Sequence, residues 1–174
     1  MWLPHVELKS IRVEGAGPVY DGVMAVCEKR GHALVSDASA SLFVLANVQR
    51  IVPASEFSVP ALGTLCFHPS LLPRHRGRDA VYWAVKKGDR LTGVTWFWVT
   101  DKVDAGPIAI AREMAMPPDI SPRDLYNQYL AQLGVDAFDA LLEQLENGTV
   151  PRTPQDESLA TFEYGRPIAP KPAG

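Results

Sequence analysis

The stretch "GTLCFHPSLLPRHRG" (residues 63–77) places an ionisable side chain at the end of an apolar run. The run before His68 is typical of a buried strand, and Pro69 disfavours helical backbone at His68, so the strand should stop there. Open α/β sheets bind their ligands at the carboxyl ends of their strands. His68 is therefore predicted to lie where such sheets carry out chemistry, although a surface histidine in a proline-rich connection explains the pattern equally well.

The rest of the chain alternates between strand and helix patterns. Short apolar or alternating runs predict strands at 6–15, 32–35, 41–48, 63–68, 92–100 and 107–116. Amphipathic segments with helix-start and helix-stop residues predict helices at 18–31, 78–88 and 121–148. This order indicates an α/β fold in which helices flank a twisted, mainly parallel sheet.

The last helix has the clearest boundaries. Ser121 is the predicted N-cap, Pro122 the first helical residue and Gly148 the stop. One apolar stripe should face the core, formed by Leu125, Tyr129, Leu133, Phe138, Leu141, Leu142 and Leu145. Residues 1–150 are predicted to form a single domain, and the proline-rich segment 151–174 to form an extended tail packed on it or trailing from it.

The composition excludes several classes of protein. Of 174 residues, 47% are apolar and 21% are charged, which is normal for a globular protein and unlike disorder. The net charge of −3 argues against nucleic acid or an anionic membrane as a partner. No apolar run reaches the ~18 residues of a membrane span, and residues 1–10 lack the pattern of a secretory signal. Two cysteines make a disulfide framework unexpected. The sequence predicts a cytoplasmic protein.

A second polar residue stands between two predicted strands. Asp104 occurs in "DKVDAGPI" (101–108), where alanine, glycine and proline follow it. Aspartate is common in tight turns, and a turn role alone would explain it.

Three segments, in this order, resemble the signature of a known family. They are "HPSLLPRHRG" (68–77), "GVT" (93–95) and "DAG" (104–106). Together they are similar to the folate-dependent formyltransferases, and the resemblance extends from about residue 41 to residue 164. Some segments look like the hydrolase domain of 10-formyltetrahydrofolate dehydrogenase, and others like the compact formylation domains of peptide synthetases. The resemblance implies a Rossmann-like fold, here with a shortened N-terminal half.

The resemblance also implies catalytic roles. In the family, a histidine and an aspartate flank the formyl group of 10-formyltetrahydrofolate, and the acceptor is an amine. His68 would transfer protons and support the oxyanion, since an imidazole titrates near neutral pH. Asp104 would orient His68 and stabilise its charge. The implied activity is N-formyl transfer to an amino sugar, an amino acid or a carrier-bound aminoacyl group.

Further residues are implied to bind the two substrates. The folate would contact Arg50, Ile51, Val52, Thr100, Asp101, Lys102 and Val103. Without the resemblance, residues 49–53 would be interpreted as ordinary strand-to-loop packing. Three arginines after the histidine would suit a carboxylate or phosphate on the acceptor, although solvated loop charges are common: Arg74, Arg76 and Arg78.

One position departs from the family pattern. The family has an asparagine two residues before the histidine, where this chain has Cys66. A thiol is a weak hydrogen-bond donor, and losing one oxyanion donor costs about 10²–10³ in rate in other enzymes. Cys66 could also be a nucleophile beside the imidazole, or simply a buried free cysteine.

Other functions remain open at this point. The protein could hydrolyse 10-formyltetrahydrofolate, or be a non-catalytic folate-binding relative that has lost the family asparagine. Cys66, His68, His75 and Asp104 could bind a metal, but their spacing fits no zinc pattern, so no metal is expected. No module for tRNA follows the last helix, so tRNA is not an expected acceptor. The aromatic run Trp96, Phe97 and Trp98 would allow a homodimer if one ring were exposed.

Overall fold

The computed structural model of the chain describes residues 7–165. In chain order, the strands are β1 (Ser10–Gly15), β2 (Ala33–Leu34), β3 (Leu42–Ala46), β4 (Gly63–His68), β5 (Arg76–Arg78), β6 (Leu91–Trp98), β7 (Ile108–Ala115) and β8 (Phe162–Tyr164). The helices are α1 (Pro18–Lys29), α2 (Ala54–Phe57), α3 (Ala80–Lys86), α4 (Pro122–Leu125) and α5 (Ala131–Glu146). A π-helical turn, Tyr126–Leu130, joins the last two.

Six of the strands form one twisted sheet in the order β2-β1-β3-β4-β6-β7. The pairs β1–β2, β1–β3 and β3–β4 are parallel, whereas β4–β6 and β6–β7 are antiparallel. Every residue of β3 is buried, as expected for a central parallel strand covered on both faces. The predicted α/β fold with a mainly parallel sheet is confirmed. The first strand begins at Ser10, later than predicted.

Helices α1 and α5 cover one face of this sheet. The Trp96 ring lies 5.4 Å from the Phe67 ring and 5.1 Å from the Phe138 ring of α5. The helix approaches closely because residue 134 is glycine: a Cβ there would lie 2.5 Å from the Phe67 ring. Since successive side chains of a strand alternate between faces, Cys66 and His68 lie on the opposite face from Phe67.

The long helical segment starts as predicted and then changes register. The Ser121 hydroxyl accepts the backbone N–H of Asp124 at 3.1 Å, which confirms the N-cap. The π-helical turn adds a residue and rotates the side chains after it. Within the turn itself, Leu130 is fully buried and Tyr129 is 40% exposed. The predicted place of Tyr129 in the apolar stripe is therefore wrong.

The aromatic run on β6 is part of the core. Trp96, Phe97 and Trp98 are 0%, 3% and 1% exposed. The strand thus presents no exposed ring for a subunit contact, and the homodimer remains a prediction without this support. Within residues 7–165, no helix is both long and apolar enough to cross a membrane.

The chain after α5 returns to the sheet and then to the loop that follows His68. Thr153 forms an isolated antiparallel bridge with Ile108, at the start of β7. Strand β8 then pairs in parallel with β5. Of the predicted tail, residues 166–174 lie outside the described part. Because β8 pairs with β5, the segment 151–165 lies beside the loop that follows His68.

Candidate active site

His68 is the last residue of β4, and its ring is fixed by one hydrogen bond. The side chain is 8% exposed. Its Nε2 lies 2.7 Å from the backbone carbonyl oxygen of His75. A carbonyl oxygen only accepts, so Nε2 must carry the proton. In the neutral ring, Nδ1 is then unprotonated, and its lone pair is available as a base.

Asp104 lies in the turn between β6 and β7 with left-handed backbone (φ 50°), which aspartate tolerates better than most residues. Its Oδ2 accepts the backbone N–H of Gly77 at 2.7 Å. The Gln155 amide donates to the carbonyl oxygens of Asp104 and Gly106 at 2.9 and 2.7 Å. The turn is therefore held both by the loop after His68 and by the segment that follows α5.

These contacts bring the two predicted catalytic residues together. Nδ1 of His68 lies 3.7 Å from Oδ2 of Asp104. That distance is too long for a direct hydrogen bond. Two acceptor atoms at this separation can share one small donor with two N–H or O–H bonds, such as an amine or a water molecule. The arrangement of the pair thus has room for one such molecule between the two atoms.

Cys66 lies two residues before His68 on the same strand and face. Its thiol makes one weak contact, to the carbonyl oxygen of Phe67 at 3.6 Å. Burial, and next the charge of Asp104, raise the pKa of the Cys66 thiol far above its ordinary value. The thiol is therefore protonated at neutral pH, whereas a nucleophilic cysteine must be a thiolate. This geometry favours a structural role for Cys66 over a nucleophilic one.

The first predicted folate segment, residues 50–52, lies between β3 and α2. Arg50 pairs with Glu14 and Glu56 at 2.6 and 2.7 Å, so its guanidinium is already occupied. The side chain of Ile51 is 87% exposed. Within residues 7–165, the backbone groups of Arg50, Ile51 and Val52 make no hydrogen bond with one another or with other residues. These groups are available to a ligand.

The second predicted folate segment, residues 100–103, leads from β6 into the turn of Asp104. The Thr100 hydroxyl and the backbone of Lys102 contact each other at 3.4 Å. Asp101 and Val103 are exposed, Val103 to 53%. An exposed valine in the loop that carries Asp104 offers an apolar surface close to the candidate catalytic pair.

The three arginines after His68 have different surroundings. Arg74 pairs with Asp89 at 2.7 Å. Arg76 is 7% exposed, and its guanidinium is occupied by Gln155 and Glu157. Arg78 is exposed at the end of β5 and makes no ion pair within the described residues. Of the three, Arg78 is the one whose guanidinium makes no ion pair within residues 7–165.

The sequence missed two contributors to the site. Gln155 holds the turn of Asp104, and the sequence pattern indicates His75 only as a possible metal ligand. The segment containing Gln155 is proline-rich and polar, so no local pattern marks it as part of a site. In the part of the chain that the structure describes, no group of three or more His, Cys, Asp or Glu side chains could hold a metal ion.

The chain is similar to proteins of known function. The model of the family described as formyl transferase matches residues 25–138. The mitochondrial 10-formyltetrahydrofolate dehydrogenase of Mus musculus is 38% identical over 124 residues, which are 71% of this chain and 13% of that protein. The methionyl-tRNA formyltransferase of Moorella thermoacetica is 35% identical over 130 residues, 75% of this chain and 41% of that protein. The chain thus spans a small part of these relatives.

A solved structure shows the same fold. It is the N-formyltransferase of Helicobacter canadensis in complex with folinic acid and dTDP-3-aminofucose. The two superpose with a TM-score of 0.77, over 91% of this chain and 71% of that one, at 15% sequence identity. At this identity the likeness concerns the fold alone. The fold described above is therefore also the fold of that solved structure.

Proposed function

The chain belongs to the formyl transferase family, and on that premise we propose that it transfers a formyl group from 10-formyltetrahydrofolate to a primary amine. The observation that carries the proposal is the pair of acceptor atoms, His68 Nδ1 and Asp104 Oδ2, 3.7 Å apart at the sheet edge. An amine bound there would donate one N–H to each atom. Its lone pair would then be free to attack the formyl carbon.

The reaction needs one proton to move between two nitrogens. The amine nitrogen bonds to the formyl carbon, the bond from that carbon to N10 of the folate breaks, and N10 gains the proton that the amine loses. His68 would accept this proton at Nδ1 and return it to N10, since Nε2 is already protonated. Asp104 would stabilise the imidazolium that forms in between. The products are the N-formylated acceptor and tetrahydrofolate.

We propose that the folate is bound by the two segments named above. The pterin ring carries donors and acceptors on one edge, and the backbone of Arg50, Ile51 and Val52 offers unpaired groups of both kinds. The exposed side chains of Ile51 and Val103 would cover its apolar faces. Arg78 would bind an anionic group on a small or carrier-bound acceptor.

Hydrolysis of 10-formyltetrahydrofolate is the second candidate function. The observation in its favour is Cys66, because a thiol replaces the family's asparagine donor beside the reacting carbon. A water molecule would fit between His68 and Asp104 as well as an amine. The same folate site would serve both reactions. A non-catalytic role is less well supported, because the His68–Asp104 pair is complete.

One experiment separates these functions. Purified protein is incubated with 10-formyltetrahydrofolate alone and with amino sugars, amino acids or carrier-bound aminoacyl groups. Tetrahydrofolate is measured by absorbance, formate by a coupled assay and formylated product by mass spectrometry. Transfer predicts tetrahydrofolate and product only with the right amine, and hydrolysis predicts formate in every sample. Intact 10-formyltetrahydrofolate in all samples, together with no folate binding by calorimetry, would refute both.

A further inference from the structure

His75 is a buried histidine whose two ring nitrogens both face carboxylates. It is 2% exposed. Nδ1 lies 3.0 Å from Oε1 of Glu163, on β8, and Nε2 lies 2.8 Å from Oδ2 of Asp89, after α3. Each carboxylate also pairs with a cation: Arg74 with Asp89, and Lys87 with Glu163. The imidazole is thus the centre of a chain of five ionisable groups.

The hydrogen bonds define the protonation of this ring. Burial favours the neutral form of Asp89, but hydrogen bonds from His75 and Arg74 outweigh it and lower the pKa of Asp89. Burial also favours the neutral form of Glu163, but hydrogen bonds from Lys87 and His75 outweigh this effect and lower the pKa of Glu163. Both carboxyl groups are therefore ionised at neutral pH and can only accept. A ring that carries a proton on both nitrogens would donate to both carboxylates, and that form is the imidazolium.

The backbone of His75 connects this network to His68. His75 has left-handed backbone (φ 56°), which costs a non-glycine residue about 1 kcal/mol or more. Such a conformation persists only when its surroundings hold it. Here the backbone N–H donates to the Thr161 hydroxyl at 2.7 Å, and the ring is held at both nitrogens. In this conformation the carbonyl oxygen faces Nε2 of His68 at 2.7 Å.

We propose that His75 is a positioning residue for His68: its imidazolium, held between two carboxylates, fixes the carbonyl that binds the Nε2 proton and so keeps Nδ1 unprotonated. Without this carbonyl, no other group within residues 7–165 is placed to hold the proton on Nε2. The ring could then carry it on Nδ1 and donate to Asp104. That tautomer would remove the base at which an amine is proposed to bind. The consequence for rate rests on the proposed function, whereas the tautomer of His68 does not.

The tautomer can be read directly by NMR of protein labelled with ¹⁵N-histidine. The chain has four histidines, and His68→Gln and His75→Asn assign the two signals of interest. In the native protein we expect His75 to be protonated on both nitrogens and His68 on Nε2 alone. Asparagine tolerates the left-handed backbone of residue 75, so the fold should persist in His75→Asn. In this variant we expect a mixture of His68 tautomers. A matched control is His32→Asn, which removes another histidine–carboxylate pair, with Glu146 at 2.7 Å, and should leave His68 unchanged.

Steady-state kinetics provide a second test of the proposal. We expect kcat for formyl release to fall about tenfold to a hundredfold in His75→Asn, by analogy with the loss of the hydrogen-bond partner that orients a metal-binding histidine. KM for the folate should not change, and the pH–rate profile should shift. If His75→Asn does not fold, Glu163→Gln carries the same test with a smaller expected change. A folded variant whose His68 keeps the native tautomer overturns the proposal, as does a singly protonated His75 in the native protein. Absence of formyl chemistry in the native protein, with the expected tautomers, refutes the proposed function alone.

Discussion

Gly77 donates its backbone N–H to Oδ2 of Asp104 at 2.7 Å, so the loop that follows His68 also holds the carboxylate that faces His68. Gly77 has φ 89°, and a Cβ on it would lie 2.3 Å from the carbonyl oxygen of Glu163. The geometry of the candidate catalytic pair therefore depends on a residue without a side chain, at the point where β5 meets β8.

Gly77→Ala tests this dependence. The added Cβ must push β5 and β8 apart, and this moves the Gly77 N–H that binds Asp104. We expect formyl transfer to fall at least about tenfold, and the free energy of unfolding to fall by more than the roughly 1 kcal/mol of left-handed strain alone. Gly31→Ala is the control, because Gly31 has φ 75° and open space around its Cβ position. It should lose stability but keep its activity. Equal activity in both variants would contradict the dependence.

His68 and Asp104 should act as one unit. His68→Gln and Asp104→Asn should each reduce formyl release by about 10²–10⁴, because each removes one side of the proposed proton transfer. The double variant should be little slower than either single variant, since both residues serve the same step. Rates are measured under single-turnover conditions, with circular dichroism to show that the fold is intact. Multiplicative losses would show that the two residues do not cooperate.

A substitution at Ile51 tests the proposed folate site by binding alone, without a measurement of activity. Ile51→Asp places a charge where an apolar ring face is proposed to lie. We expect tetrahydrofolate binding to weaken about tenfold to a hundredfold, from the roughly 1.5–3 kcal/mol of a buried aliphatic side chain. Val59→Asp is the control, since Val59 is also exposed (51%) and lies beyond α2. Isothermal calorimetry measures both. Unchanged affinity in Ile51→Asp would place the folate elsewhere.

The sequence predicts the sheet better than it predicts the site. Pro69 ends β4 at His68, and Ser121 begins the last helix, because both signals act on neighbouring backbone. The turn of Asp104 is likewise local. The anchors of the site are not: Gln155 and Glu163 come from a segment far along the chain, and such pairings leave no local pattern. The π-helical turn at Tyr126–Leu130 was missed for another reason, since its residues have ordinary helix propensities.

Acid should loosen the loop after His68 before it unfolds the sheet. A carboxyl group with a lowered pKa stabilises the folded state above its unfolded pKa, and this contribution is lost as the pH falls through the folded pKa. The pKa values of Asp89 and Glu163 are both lowered. Below the ordinary carboxyl range of about 4 we therefore expect the β5–β8 pairing to weaken.

Hydrogen exchange can detect this loosening. The backbone N–H of Arg76 donates to Thr161, and that of Thr161 donates to Pro73. After correction for intrinsic rates, these two amides should lose protection several-fold between about pH 5 and 3. Amides of β3 serve as the control and should stay protected over the same range. Parallel loss in both places would mean that acid unfolds the whole domain at once.

Cys66 can be tested by restoring the residue that the family has. Since the Cys66 side chain is half-buried and its raised pKa keeps the thiol protonated, we expect it to fill space rather than to react. Cys66→Asn would then add a good hydrogen-bond donor beside the reacting carbon, at a strand end where the family already accommodates it. The expected result is an intact fold with equal or faster formyl transfer, up to the roughly 10²–10³ that one oxyanion donor supplies elsewhere.

A nucleophilic Cys66 would give a different set of results. If Cys66 held the formyl group as a thioester, Cys66→Asn would abolish activity, and alkylation would block the native enzyme. The native protein would also gain the mass of a formyl group during turnover. Cys66→Ser is the control. Serine is close to cysteine in size, and its hydroxyl donor is shorter than the amide of asparagine. Loss of activity in a folded Cys66→Asn, together with that adduct, would make the thiol the nucleophile.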